Sequence, residues 1–135
     1  MAFIDWTDAL SVNVKIIDAE HKRLVAMINE LHEALVNRKG KSQQQKIVHD
    51  MVDYAASHFT TEEKYMRQYS FPGFEGHKKE HELFTEKALD LKERGEKTGF
   101  VLTLEILNFL RDWLKNHILK TDKKYSQFFN EHGLY

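Results

Sequence analysis

Histidine occupies places that apolar residues would take on four separate helical stripes, and this arrangement constrains the chain more than any other feature. Leu24, Val25, Ile28, Leu31 and Leu35 recur at spacings of three and four, the pattern of a helix with one buried face. His21 lies three, four and seven residues before Leu24, Val25 and Ile28 and continues that face. His58 and Glu62, four apart, sit among Ala55, Phe59 and Met66, on a stripe opened by Val48 and Val52. His77 and His81, also four apart, lead into Phe84, Ala88 and Leu91, and His117 extends the line of Leu102, Ile106, Phe109, Leu110 and Trp113. Each helix therefore turns at least one metal-capable side chain inward.

The punctuation between the stripes supports a helical reading. Asp18 is expected to cap the first helix, which runs to about Asn37 and ends at Arg38-Lys39-Gly40-Lys41, basic residues and a glycine that suit a helix C-terminus. Ser42-Gln43-Gln44-Gln45 has the form of a capping box for a second helix reaching about Tyr69, broken by Phe71-Pro72-Gly73. A third helix is expected from Phe74 to Arg94 with Gly95 stopping it, and a fourth opens at Thr98-Gly99. One more short helix is expected within the tail from Asp122 to Glu131, and the first 17 residues form an arm whose Phe3, Ile4 and Trp6 can pack across the bundle. A single proline and six glycines argue against an all-β domain. The expected fold is all-α: one domain over residues 1–135, an up-down-up-down four-helix bundle with an N-terminal arm and a short C-terminal helix.

A lone histidine on an apolar face is more often a hydrogen-bonded core residue than a ligand, and the remaining histidines illustrate that. His49 is out of phase with His58 and should face solvent; His32 shares the face of His21 but lies roughly 16 Å further along the axis; His132 is in the tail. The conjunction on four stripes is different. Left unpartnered, each inward polar group costs on the order of 1–3 kcal/mol, and a buried charge costs more. Metal ions are the economical partner. With no cysteine in the chain, an imidazole and carboxylate set suits iron, zinc, copper or manganese and excludes thiolate sites and disulfides. The ligands are too many for one ordinary metal site, whereas two metals bridged by carboxylates would use them.

Several alternatives are excluded. Neither His32-Glu33 nor His81-Glu82 extends to the zinc-protease helix motif, and there is no Glu-x-x-His pair of the ferritin-type di-iron bundles. Phosphate-cradling loops and nucleophile elbows are absent. A net charge of −1 gives no pull toward nucleic acid or an anionic membrane. Residues Met1 to Leu10 carry two aspartates and no base, unlike a signal peptide, and the most apolar stretch, Phe100 to Leu110, is interrupted by Glu105 and too short to span a membrane. The expectation is a cytoplasmic protein with no membrane span.

Taken together, these residues resemble the hemerythrin family, its single-domain bacterial members in particular. The likeness spans the chain through Trp6, Asp18-Ala19-Glu20-His21, His58-Phe59-Thr60-Thr61-Glu62, His77-Lys78-Lys79-Glu80-His81 and His117-Ile118-Leu119-Lys120-Thr121-Asp122. One departure is Glu20, where many relatives have glutamine. The resemblance implies a non-haem di-iron centre that binds O2 reversibly and is not an enzyme. It implies that His77, His81 and His117 hold one iron and His21 and His58 the other, with Glu62, Asp122 and a solvent-derived oxygen bridging both. Asp122 lies five residues after His117, about 140° off the face of a regular helix, so the fourth helix must loosen there as a π-bulge or an ending.

On two octahedral irons these groups fill about eleven of about twelve positions, leaving the vacancy on the iron of His21 and His58. Leu24, Phe59, Trp113, Ile118 and Leu119 are expected to wall it, Leu119 ahead of Ile118. The implied partner is O2, with an O2-consuming enzyme as recipient in a delivery role. The competing roles are an oxygen or redox sensor, which calls for an output domain, and an enzyme acting on peroxide or nitric oxide, which calls for proton donors that the sequence does not place near the metals.

Overall fold

A computed structural model describes residues 3–37, 40–98 and 104–135, apart from the side chains at 41, 91, 92, 94–98 and 104–106. The apolar stripes become α1 (Lys15–Val36), α2 (Lys41–Gln68), α3 (Phe74–Thr98) and α4 (Leu104–Asn116), followed by a π-helical segment (His117–Asp122) and α5 (Lys123–Glu131). There is no strand among the described residues. Helix α1 packs on α2 and α4, and α2 on α3; Phe84 of α3 stacks on Trp113 of α4 at 4.1 Å, which closes the four-helix bundle. Leu24, Val25, Ile28, Leu31, Val48, Val52, Ala55, Phe59, Met66, Phe84, Ala88 and Leu110 are all buried, as their periodicity requires. Leu35 is only partly buried at the bundle's edge.

The arm is tied to the bundle at both ends. Asn29 of α1 accepts from Ile4 N–H and donates to Ile4 C=O, both at 2.9 Å. Asp18 accepts from Ser11 Oγ at 2.6 Å and from Val12 N–H at 2.8 Å. From α5, Ser126 Oγ donates to Val12 C=O and Asn130 to Asn13 C=O. Val12 and Val14 are fully buried beneath these ties. The C-terminal helix thus holds the arm against α1, the helix that carries His21.

The helix boundaries differ from expectation at four places. α1 begins at Lys15, and Asp18 lies in its first turn, where it holds the arm instead of capping the helix. α2 begins at Lys41 after Gly40, which gives no side-chain cap, so Ser42 is inside the helix and the capping box does not form. α3 runs through Gly95 to Thr98, because one glycine costs a helix only about 1 kcal/mol against alanine. Thr98 accordingly ends α3 and does not open α4. The expectations for Arg38, Lys39, Gly99 and Leu102, and for the side chains of Leu91 and Ile106, fall outside the described residues.

Two helices end in the same way. Phe71 N–H reaches Met66 C=O and Ser70 N–H reaches Arg67 C=O; Leu134 N–H reaches Phe129 C=O and Gly133 N–H reaches Asn130 C=O. Both are Schellman closures, which require a left-handed residue after the cap. Gly133 supplies it at φ 88°, whereas at the other end Ser70 is held at φ 54°. A side chain there costs roughly 1 kcal/mol. Ser70→Gly is therefore expected to raise unfolding stability by about that amount, measured by urea denaturation. A Ser70→Gly variant less stable than the parent would contradict this account of the turn.

Candidate metal centre

The inward positions of α1, α2, α3 and the π-helical segment converge in one buried volume. His21, His58, Glu62, His77, His81, His117 and Asp122 are each at most 4% exposed, and Glu62 and Asp122 are fully buried. All five imidazoles point Nε2 toward the two carboxylates. His21 Nε2 lies 3.4 Å from Glu62 Oε1 and 3.1 Å from Asp122 Oδ2. His58 Nε2 meets Glu62 Oε1. His77 Nε2 lies 3.2 Å from Glu62 Oε2 and 2.9 Å from Asp122 Oδ1. His81 Nε2 is 3.1 Å from His117 Nε2, which is 2.9 Å from Asp122 Oδ1.

The donor atoms fall into two groups that share a carboxylate: Glu62, His77, His81, His117 and Asp122, and His21, His58 and Glu62. Glu62 turns Oε1 to His21 and His58 and Oε2 to His77, while Asp122 turns Oδ2 to His21 and Oδ1 to His77 and His117. Asp122 reaches this position because the helix is π-wound from His117 to Asp122. Bonding from i to i+5 brings the fifth residue to the place that the fourth takes in an α-helix.

The donor set fits metal cations on its own evidence. Glu62 Oε2, His77 Nε2 and both Asp122 oxygens are buried without a hydrogen-bond partner among the described residues, and they face one another. Burial alone would push the carboxylates up, yet the surrounding imidazoles hold both well below the usual range. Burial pushes His21 and His77 down, and Asp122 and Glu62 more than reverse it, lifting them to about 10 and about 9. His81 is held down to about 3 by burial and by its neighbours His117 and His77. Two carboxylates in a water-poor core thus demand positive charge, which protons or metal ions can supply.

A second layer orients the first. On the outer side of the rings, Nδ1 of His58 meets Glu20 at 2.7 Å, Nδ1 of His81 meets Glu63 at 3.1 Å and Nδ1 of His117 meets Glu80 at 3.2 Å. Thr121 donates to Glu80 and Thr61 to Glu20. Glu63 and Glu80 were not among the expected site residues. Their signal was present: each carboxylate stands one residue from an inward member of the cluster, about 100° round the helix, where it faces the neighbouring helix.

Phe59 stacks on His81 at 3.9 Å and Trp113 on His117 at 4.5 Å. Both also line a wholly apolar cavity of about 20 Å³ with Leu24, Ile28, Met51, Ala55, Phe84, Leu110 and Leu114. Of the residues expected to wall the open position, Leu24, Phe59 and Trp113 line this cavity. Ile118 is fully buried but not on this cavity, and Leu119 is 39% exposed and lines a surface groove beside the arm. Two residues past His117 is the opposite side of the helix; Leu114, three residues before it, lines the cavity instead. Tyr125, three residues after Asp122, is also new: its buried ring stacks on His77 at 5.5 Å and its hydroxyl has no hydrogen-bond partner among the described residues, so a proton donor does stand beside the cluster. His49 is half-buried, and His32 stacks on Phe3; neither joins the cluster, nor does exposed His132.

Comparison with known proteins agrees with this geometry. A family model described as hemerythrin HHE cation binding domain matches residues 12–129. A bacteriohemerythrin of Pseudomonas aeruginosa is 37% identical over 130 residues, covering 93% of this chain and 80% of the relative. One from Methylococcus capsulatus is 33% identical over 126 residues, covering 93% and 95%. A crystal structure of wild-type hemerythrin superposes with a TM-score of 0.89 at 32% identity, covering 93% of this chain and 97% of that one. No helix among the described residues is long and apolar enough to cross a membrane.

The charges predict a pH dependence for protein stripped of metal. His21 and His77 take up protons more readily folded than unfolded, so their contribution is complete below pH 6.5 and is lost as pH rises through about 9 to about 10. His81 acts oppositely: its contribution is complete above 6.5 and is lost as pH falls toward about 3. The lowered carboxylates add to the acid-side loss. The stripped protein should melt highest near pH 6.5 and lower at pH 9, while metal-loaded protein, whose ligands are already neutral imidazoles, should lose little over that range. A stripped protein as stable at pH 9 as at 6.5 would contradict the charge assignment.

Proposed function

This chain belongs to the hemerythrin family, and from that premise we propose that it binds O2 reversibly at a non-haem di-iron centre, as a cytoplasmic carrier, store or delivery protein and not as an enzyme. His77, His81 and His117 hold one iron, and His21 and His58 hold the other. Glu62, Asp122 and one solvent-derived oxygen bridge the two. The observation that carries the reading is the division of the two carboxylates, each presenting one oxygen to the two-histidine side and the other to the three-histidine side. In a delivery role the recipient is an O2-consuming enzyme.

The irons, when bound, supply the electrons that hold O2. The chain's own part is to fix the ligands and to keep water away. The Nδ1 partners Glu20, Glu63 and Glu80 set the tautomer in which Nε2 is free to bind metal. Stacking of Phe59 and Trp113 on ligand rings restricts their rotation and places an apolar cavity beside them, large enough for about one small molecule. Such a cavity admits O2 and offers water no hydrogen bond. Among the described residues, Tyr125 is the buried hydroxyl without a hydrogen-bond partner at this site, and it stacks on His77.

Iron-loaded protein should contain two irons per chain by mass spectrometry. His77→Ala or Glu62→Ala should lose at least one iron, and His49→Ala should keep both. A native protein with one zinc, or equal losses in His49→Ala and His77→Ala, would overturn the assignment. Trp113→Ala opens the apolar wall and should speed autoxidation at least several-fold with both irons retained, whereas Leu119→Ala, in the groove beside the arm, should oxidise at the parental rate. Equal rates for parent and Trp113→Ala, or catalytic O2 consumption by the parent, would contradict the carrier reading.

A further inference from the structure

We propose that Glu20 sets the metal affinity and the reduction potential of the His21–His58 half of the centre; the proposal rests on the di-iron reading above. The three outer carboxylates are unevenly shared. Glu63 and Glu80 both serve the group of His77, His81 and His117, through His81 and His117. The other group has Glu20 alone, on His58, while His21 Nδ1 is buried with no hydrogen-bond partner among the described residues. The local geometry explains this. Glu20 precedes His21 by one residue and so is turned about 100° away from it, toward α2, where His58 stands. Helix α1 thereby supplies one ligand of this half and the anionic partner of the other.

The Glu20–His58 contact is the shortest of the three, at 2.7 Å against 3.1 and 3.2 Å. Thr61 donates to the second Glu20 oxygen at 3.4 Å, which steadies the carboxylate. An imidazole whose N–H donates to a carboxylate is a stronger metal ligand, and the charge one ring away favours the higher oxidation state of the metal. Because the other ligand ring has no such partner, this contact carries the whole effect for its half.

A glutamine keeps the acceptor oxygen and removes only the charge; an alanine removes both. Metal-stripped parent, Glu20→Gln, Glu20→Ala and Glu63→Gln would be titrated with Co2+ without oxygen, and the potentials of the iron-loaded forms measured. The parent should bind two Co2+ in resolvable steps. Glu20→Gln should weaken one step about 10-fold and Glu20→Ala the same step up to about 100-fold, leaving the other step unchanged, while Glu63→Gln acts on that other step. Glu20→Gln should also raise the potential, by about 59 mV for each tenfold change in a one-electron equilibrium. Parental affinities and potential in Glu20→Gln, or equal weakening of both steps, would overturn the proposal. A parent that binds only one Co2+ would overturn the di-iron reading itself, a result distinct from either.

Discussion

Two carboxylates, Glu62 and Asp122, are buried completely at the centre of a helical bundle, and the rest of the molecule is arranged to neutralise them. An unpaired carboxylate in such a place costs several kcal/mol. Meeting that cost takes five imidazoles from four parts of the chain, and each must arrive with Nε2 foremost. The demand also explains the irregular helix. Regular winding would turn Asp122 away from His117; the π-helical segment gives up some helical regularity to bring it back.

The packing around the cluster serves the same end. Phe59, Trp113 and Tyr125 each lie flat against a histidine ring of the cluster, so apolar burial and ring orientation come from the same contacts. The arm, none of whose described residues joins the cluster, ties α1 to α5 through Val12 and Asn13 and so fixes His21 relative to Tyr125. Beyond the rings, Glu20, Glu63 and Glu80 connect the buried charge to the half-exposed edge of the bundle.

Much of this is legible in the residues themselves. His21, His58, Glu62, His77, His81 and His117 are visible because a polar side chain on an apolar stripe contradicts its surroundings. Asp122 is not on any stripe; its place depends on a change of helical winding, which a five-residue spacing after His117 implies only once Asp122 is taken as a ligand. Leu119 shows the converse limit. It is apolar and close in sequence to His117, but adjacency in sequence is not adjacency on a helix, and the side chain faces the groove beside the arm. Glu63 and Glu80 meet histidines of neighbouring segments, so their places depend on how helices face one another. The start of α1 at Lys15 was hidden because Asp18 looks like a cap and instead binds the arm.

The central claim is reversible O2 binding at paired irons, and one measurement addresses it directly: the optical spectrum of iron-loaded protein cycled between air and argon. The account predicts absorption that appears in air, disappears under argon and returns in air over repeated cycles with two irons retained. A spectrum that does not respond to O2, or that changes once and never reverses, would contradict it.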